Sequence, residues 1–301
     1  MDRRWVGNFG SLEAMPFSQA ATGGDKALMN VHFALAPLDR VAPWTVPSQN
    51  NRKHLSWFGL TDGTYWIEIK GRRLLRYSDA VCQHWATTYP DVSVGTTVDY
   101  YVVRLWEDLL EMLPAVLELV PDDLARLVSS SGPWGTWQRM EGWADRARSW
   151  YEDAGDDEWN CFYTARGWWG ERRLDSGYLK AGFGLWFWRT GDTIHVRWDN
   201  EGVLLDGIPA WAETYGDSSL SVSDFVDAMR SFDTRFLTAM GERVNQVRAN
   251  GWRSDVKIDL DGLTKEQAER ATWLENALAR TVQSDWNCVR EALARMAKET
   301  A

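Results

Sequence analysis

The spacing of apolar residues changes along this chain, and the change constrains its fold more than any motif does. Val31, Phe33 and Leu35 alternate with His32 and Ala34, the period of a half-buried strand. Tyr101, Leu105, Leu109, Met112 and Val116 then fall at steps of 4, 4, 3 and 4, one stripe of an amphipathic helix. The strand period returns between Leu185 and Trp198. Phe225, Met229, Phe232, Phe236, Met240, Val244 and Val247 then carry the longest helical stripe of the sequence. Strands and helices in separate blocks predict an α+β architecture, with two antiparallel hairpin or meander patches each followed by long amphipathic helices.

Punctuation refines the reading. Leu55–Leu60, a Thr61-Asp62-Gly63 turn and Thr64–Ile69 spell a hairpin, because Asp-Gly supplies the positive φ angles of tight turns. Gly71 turns the chain again into Leu74–Tyr77. The second hairpin joins Leu185–Arg189 to Thr193–Trp198 through Thr190-Gly191-Asp192. Helices are expected from Val98 to Val116, from Pro121 to Leu127, over 134–151 and from Trp159 to Trp169. Ser221 offers an N-cap to the longest stripe. Thr264 with Gln267 forms a capping box for a helix to about Arg280, and Trp286, Val289, Leu293 and Met296 mark a last one. Superposing the hairpins sets Trp57-Phe58 on Trp186-Phe187, an echo that leaves internal duplication and chance both open. The expected organisation is a peripheral extension over 1–28, an α+β unit over 29–130, a Trp-rich helical segment over 131–180 and a second α+β unit over 181–301.

Charge narrows the function. The chain carries 33 basic and 43 acidic residues, net −10. Residues 1–150 hold 15 basic and 17 acidic side chains, whereas 151–301 hold 18 and 26. An acidic chain cannot neutralise phosphates along a nucleic acid, so that partner is excluded and a basic protein is the better fit. No apolar run reaches the length of a membrane span. Met1-Asp2-Arg3-Arg4 opens no secretory signal, and Cys82, Cys161 and Cys288 show neither paired nor CxxC spacing. A cytoplasmic chain with reduced thiols is expected. Phosphate-loop, dinucleotide, nucleophile-elbow and zinc-helix patterns are missing, so no cofactor or metal is implied.

Tryptophan is in surplus, 20 of 301 residues, and seven lie between 134 and 169. Such rings fill cores first and anchor interfaces second. The candidate partner or ligand surface is Trp57, Asp62, Tyr65 and Trp66 beside the first hairpin, Trp186, His195 and Arg197 on the second, and Trp143, Trp150, Asp156 and Asp157 in the Trp-rich and acidic middle. Lys70, Arg72, Arg73 and Arg76 form one basic knot, which reads first as an edge strand protected from pairing and second as a phosphate contact.

Phe33-Ala34-Leu35-Ala36-Pro37-Leu38-Asp39, Pro43-Trp44, the run Leu55–Trp66 containing Trp57-Phe58-Gly59-Leu60-Thr61-Asp62-Gly63, Leu74–Tyr77 and Val98–Asp108 together resemble an uncharacterised, largely actinomycete bacterial family of unknown function. The resemblance extends over most of 29–295 and implies no reaction. The expected function is therefore a non-enzymatic interaction protein, of the immunity or conflict-system kind, that meets its partner through Trp-rich and acidic surface. The alternative is an enzyme or small-ligand sensor of unfamiliar type with a pocket between sheet and helices.

Overall fold

A computed structural model describes residues 28–46, 52–90, 95–129 and 156–299. The helix expected over 134–151, and Trp143 and Trp150 with it, lie outside the described residues. The chain forms β1 (Met29–Leu35), β2 (Trp44–Val46), β3 (Arg52–Leu55), β4 (Gly63–Ile69), β5 (Arg72–Leu74), α1 (Asp79–Thr88) and β6 (Val98–Asp99). Three helices follow: α2 (Val102–Leu117), α3 (Asp122–Ser129) and α4 (Asp156–Gly170). The second strand block holds β7 (Leu185–Thr190), β8 (Thr193–Asp199), β9 (Leu204–Leu205), β10 (Ile208–Pro209) and β11 (Tyr215–Ser221). Then come α5 (Val222–Asn250), β12 (Val256–Ile258), α6 (Leu260–Arg270), α7 (Trp273–Ala279) and α8 (Trp286–Glu299). The architecture is α+β.

The second hairpin forms as its sequence spells it. Leu185 faces Trp198 and Thr190 faces Thr193, with Gly191 at φ 53 in the two-residue loop where a left-handed residue is needed. The first does not form. β4 instead pairs along its whole length with β1, from Met29 opposite Ile69 to Leu35 opposite Gly63. Residues Gly59–Thr61 make a 3-10 turn, and Asp62 is extended at φ −51, ψ 132. Gly63 is there for another reason: a Cβ would stand 2.3 Å from the Ala34 carbonyl oxygen, so only glycine lets β1 come this close. The tight turn lies seven residues later, at Lys70 (φ 46) and Gly71 (φ 83). Trp57 thus sits outside any hairpin and does not share the setting of Trp186.

Smaller corrections follow the same logic. Leu75 has φ 63, which ends β5 at Leu74 where the sequence reads on to Tyr77. Asp99 pairs in β6, so α2 begins at Val102 rather than Val98. The helix expected behind Thr264 starts earlier, because the Asp259 carboxylate accepts from the Gly262 N–H at 2.9 Å and caps it. Thr264 is then internal and donates back to the Leu260 carbonyl, and the helix breaks before Trp273. Helix α1 has no apolar stripe long enough to be read. Its signal is Ser78, whose hydroxyl accepts from the Val81 N–H at 3.2 Å.

Helix α5 does most to join the parts. Ser221 caps it as expected, accepting from the Asp224 N–H at 3.0 Å. Its stripe of Phe225, Met229, Phe232, Phe236 and Met240 is buried, packing on β1 of one sheet and on β8 and β11 of another. Each such ring or thioether withdrawn from water contributes about 1.5–3 kcal/mol before entropy is counted. One apolar cluster runs from Met29 to Ala277 and includes residues of both 29–130 and 181–301. A third sheet also draws on both, since β3 pairs antiparallel with β2 and parallel with β12. Arg235 of α5 covers the edge strand β1, donating to the Val31 carbonyl at 2.6 Å, and Arg243 donates to the carbonyls of Ala36, just beyond β1, and Leu60. Among the described residues no helix is long and apolar enough to cross a membrane.

Candidate functional site

The pairing of β4 with β6 brings two carboxylates to one end of a sheet. Thr64 lies opposite Asp99, and the Tyr100 N–H donates to the Gly63 carbonyl at 3.0 Å, so Asp62 and Asp99 approach the same recess. Tyr101 then caps α2, and helical spacing places Arg104, Glu107 and Asp108 along one face behind it. Rings continue this surface outward and sideways. Tyr101 stacks on Trp44 with centroids 5.8 Å apart and lies 4.7 Å from Phe58. Tyr100 meets Tyr101 at 5.1 Å and stacks on Tyr178 at 4.8 Å, and the Arg104 guanidinium lies 5.2 Å over the Tyr178 ring. Trp44 is 49% exposed. The result is an aromatic ledge edged by acids.

Its carboxyl groups are displaced from their ordinary range. Burial raises Asp62 to about 6, with Asp99 adding to the rise while the Gly63 N–H and Arg243 oppose it. Asp99 is also raised, by the protein crowding its carboxyl, against the pull of Lys180. Asp108 is buried and rises to about 7, chiefly through desolvation; the Tyr178 hydroxyl, donating to it at 2.7 Å, and Arg104 act the other way. Tyr65 and Tyr178 are pushed up, again by burial first, and each hydroxyl acts on the other. Among the described residues neither Asp62 nor Asp99 makes a contact ion pair with an arginine or lysine. Negative ring faces beside under-compensated carboxylates suit a cation.

One turn further along α2 the same ingredients are already filled. The Arg270 guanidinium donates to Glu107 at 2.7 Å and to Glu266 at 3.0 Å. It lies 4.4 Å from the Trp57 ring centroid, 4.5 Å from that of Trp273 and 5.7 Å from that of Trp106. Trp57 donates its N–H to Gln267 at 2.8 Å and Trp106 to Asp233 at 2.9 Å, which fixes both rings.

The structure distributes the residues singled out from sequence over several places. Asp62 stands in the ledge and Tyr65 is buried beneath it. Trp57 is fully buried in the Arg270 cage. Trp66 points to the other face of β4, where it stacks on His32 at 4.7 Å. Trp186, His195 and Arg197 share the second sheet, under a smaller core. There Trp186 stacks on Trp169 at 5.9 Å, the Thr190 hydroxyl and His195 Nε2 are 2.7 Å apart, and Arg197 donates to the Val128 carbonyl. Burial lowers the His195 pKa, against Asp217. Nearby, buried Arg172 pairs with Glu118 at 2.7 Å. Asp156 and Asp157 begin α4. The ledge residues that sequence reasoning missed are Trp44, Asp99, Tyr100, Tyr101, Arg104, Asp108 and Tyr178. All but Tyr178 lie within segments that carry the family resemblance, which was the available signal. Among the described residues no group of three or more His, Cys, Asp or Glu side chains is arranged to hold a metal ion.

Fold and ledge define an α+β protein with a cation-compatible acidic face. Residues 30–292 match a family described as a family of unknown function, DUF5984, and the chain belongs to it. No curated protein and no solved structure matches the chain.

Proposed function

We propose that this is an interaction protein of the cytoplasm, of the immunity kind, that takes a basic group of a protein partner on the ledge formed by Trp44, Tyr100, Tyr101, Asp62 and Asp99. The observation that carries the reading is the juxtaposition of a ring series, its outer member Trp44 half exposed, with two carboxylates that lack a contact cation among the described residues. The chain's net charge of −10 steers a basic partner toward it. The core beneath is filled, with Leu60, Tyr65 and Ile67 at 0–1% exposure, which favours a surface contact over a deep pocket. None of Cys82, Cys161 and Cys288 is in a disulfide, which accords with a reducing compartment. The test installs a photo-crosslinking residue at position 44, with a control at exposed Tyr163, in the native host. One dominant partner with a basic surface, captured at 44 and lost in D62N/D99N, supports the reading. Equal capture from both positions, or capture indifferent to the two aspartates, overturns it.

One observation favours an enzyme or ligand sensor instead. Asp108, with its carboxyl near 7 and a tyrosine hydroxyl at 2.7 Å, has the ionisation of a general base. That role requires the Tyr178 loop to lift, so the deuterium-exchange rate of residues 175–180 decides it: protection equal to that of the β7–β8 hairpin rules the base out.

A further inference from the structure

The basic knot noticed in the sequence is built into a cleft. Arg73 and Arg76 are three residues apart, and on an extended strand an odd separation sends two side chains to opposite faces. Leu75 prevents that. It is buried at 1% exposure with φ 63, a left-handed conformation costly for a residue with a Cβ, and its carbonyl accepts from the Val98 N–H at 3.1 Å. The Arg76 carbonyl is in turn held by the Ala212 N–H at 2.9 Å. The strained turn brings both arginines to line one cleft of ≈ 270 Å³, with Gly71, Ala212 and Glu213 as its other walls. Strain that gathers two cations on a chain of net charge −10 is poorly explained by protection of an edge strand alone.

We infer that this cleft binds the phosphate group of a small phosphorylated ligand between Arg73 and Arg76. The guanidiniums are free to do so. Among the described residues Arg73 has only a loose partner, Glu68 at 3.9 Å, and is itself 64% exposed. Arg76 is clipped to Asp79 at 2.7 Å, but that carboxylate is 88% exposed, and surface pairs of this kind are worth about 0–1 kcal/mol. Each guanidinium has five N–H donors, so one carboxylate leaves several unused. Glu213 is taken up by Arg72 at 3.1 Å, which mutes its repulsion of an incoming anion. The cleft falls just below the usual range of ligand-site volumes, the size of a phosphate with a short carbon stem rather than a nucleotide.

Nitrogen-15 NMR of the arginine Nε–Hε groups tests this, with inorganic phosphate and glycerol phosphate titrated at constant ionic strength. Saturating shifts at Arg73 and Arg76 are expected, tighter with the ester if a phosphorylated compound is the true ligand and equal if free phosphate is. R73A and R76A should each weaken binding about tenfold, the scale of a hydrogen bond to a charged group. E213Q should strengthen it about two- to threefold by removing a like charge from the rim. R72A, which releases Glu213 at the rim, should weaken it only slightly, by less than R73A or R76A does. Shifts that fail to saturate, that chloride reproduces at equal ionic strength, or that E213Q weakens would overturn the site. Arg72 and Arg73 are exposed and Arg76 partly so, and none is in the apolar core, so their variants leave that core intact.

Discussion

Two neighbouring stretches of α2 face aromatic rings and carboxylates, and they resolve that combination in opposite ways. Around Arg270 the cation is supplied from α6: three indoles and two glutamates enclose one guanidinium that is 7% exposed. Around Asp62 and Asp99 the rings and acids stand ready, but Arg243 and Lys180 act on them only through their charge, and among the described residues neither makes a contact ion pair with them. The first arrangement is a brace, since it ties α2, α6 and α7 together. The second holds charge that the fold does not neutralise, and folded proteins tolerate such charge chiefly where function requires it. Removing the internal cation is the severest way to break the contrast. Arg270→Ala leaves Glu107 and the partly exposed Glu266 facing the buried indoles of Trp57 and Trp106 and should cost about 2–4 kcal/mol in urea unfolding. Arg270→Lys restores the charge without the planar stack and should recover only part. A loss below about 1 kcal/mol for the alanine variant would mean that the cage braces nothing.

Next in size is the hydrogen bond that closes the ledge from behind. Tyr178→Phe strips Asp108 of its 2.7 Å donor and should cost about 1–3 kcal/mol. Because that donor lowers the Asp108 pKa, its loss must raise the pKa from about 7 still higher, visible in a carboxyl carbon-13 titration. A titration that stays in place or moves down would show that Tyr178 does not set the charge of Asp108.

How much of this was legible depended on distance along the chain. The α5 stripe, its Ser221 cap and the β7–β8 hairpin are local devices, in which period, cap and turn all name the same structure. The first hairpin misled because Asp62-Gly63 has two physical meanings. It can supply positive φ, or it can admit a neighbouring backbone, and only the partner strand, with Ala34 29 residues back against Gly63, decides which. The ledge was half visible. Asp62 and Tyr65 stood out because they lie beside a recognisable motif. Asp99, Tyr100 and Tyr101 looked like a helix start until β6 pairing pulled Asp99 into the sheet. Tyr178 carried no signal at all, since a loop tyrosine joins Asp108 only through tertiary packing across 70 residues.

A smaller effect comes from protons. A carboxyl whose folded pKa exceeds its unfolded value binds its proton more tightly when folded. Its contribution is therefore present below the unfolded pKa near 3.8 and lost as pH rises through the folded value. For Asp62 the window runs from about 4 to about 6. His32 and His195, both lowered by burial, pull stability the other way over part of that range, so the difference between wild type and Asp62→Asn is the useful quantity. Wild type should gain on the order of 1 kcal/mol relative to Asp62→Asn on going from pH 7 to pH 4.5, after allowance for solvent screening. A difference that is flat or of opposite sign would place Asp62 in an ordinary solvated setting and remove the ledge's claim to unneutralised charge.

The smallest effect on stability should fall on the outermost ring. Trp44 is about half exposed, so Trp44→Ala withdraws little buried area and should cost under about 1 kcal/mol. Its removal nonetheless takes away the face that stacks on Tyr101, and an exposed cation–π contact is worth about 0.5–1 kcal/mol. A guanidinium or ammonium probe should therefore bind the variant about three- to fivefold more weakly. That binding should also weaken as pH falls through about 6 in wild type but not in Asp62→Asn, because the cation and the Asp62 proton compete for one carboxylate. The Arg270 cage, already holding its cation, should show no such response in the same titration. If the probe perturbs the indole signals of Trp57 and Trp273 as strongly as that of Trp44, the distinction between a filled and an open arrangement fails.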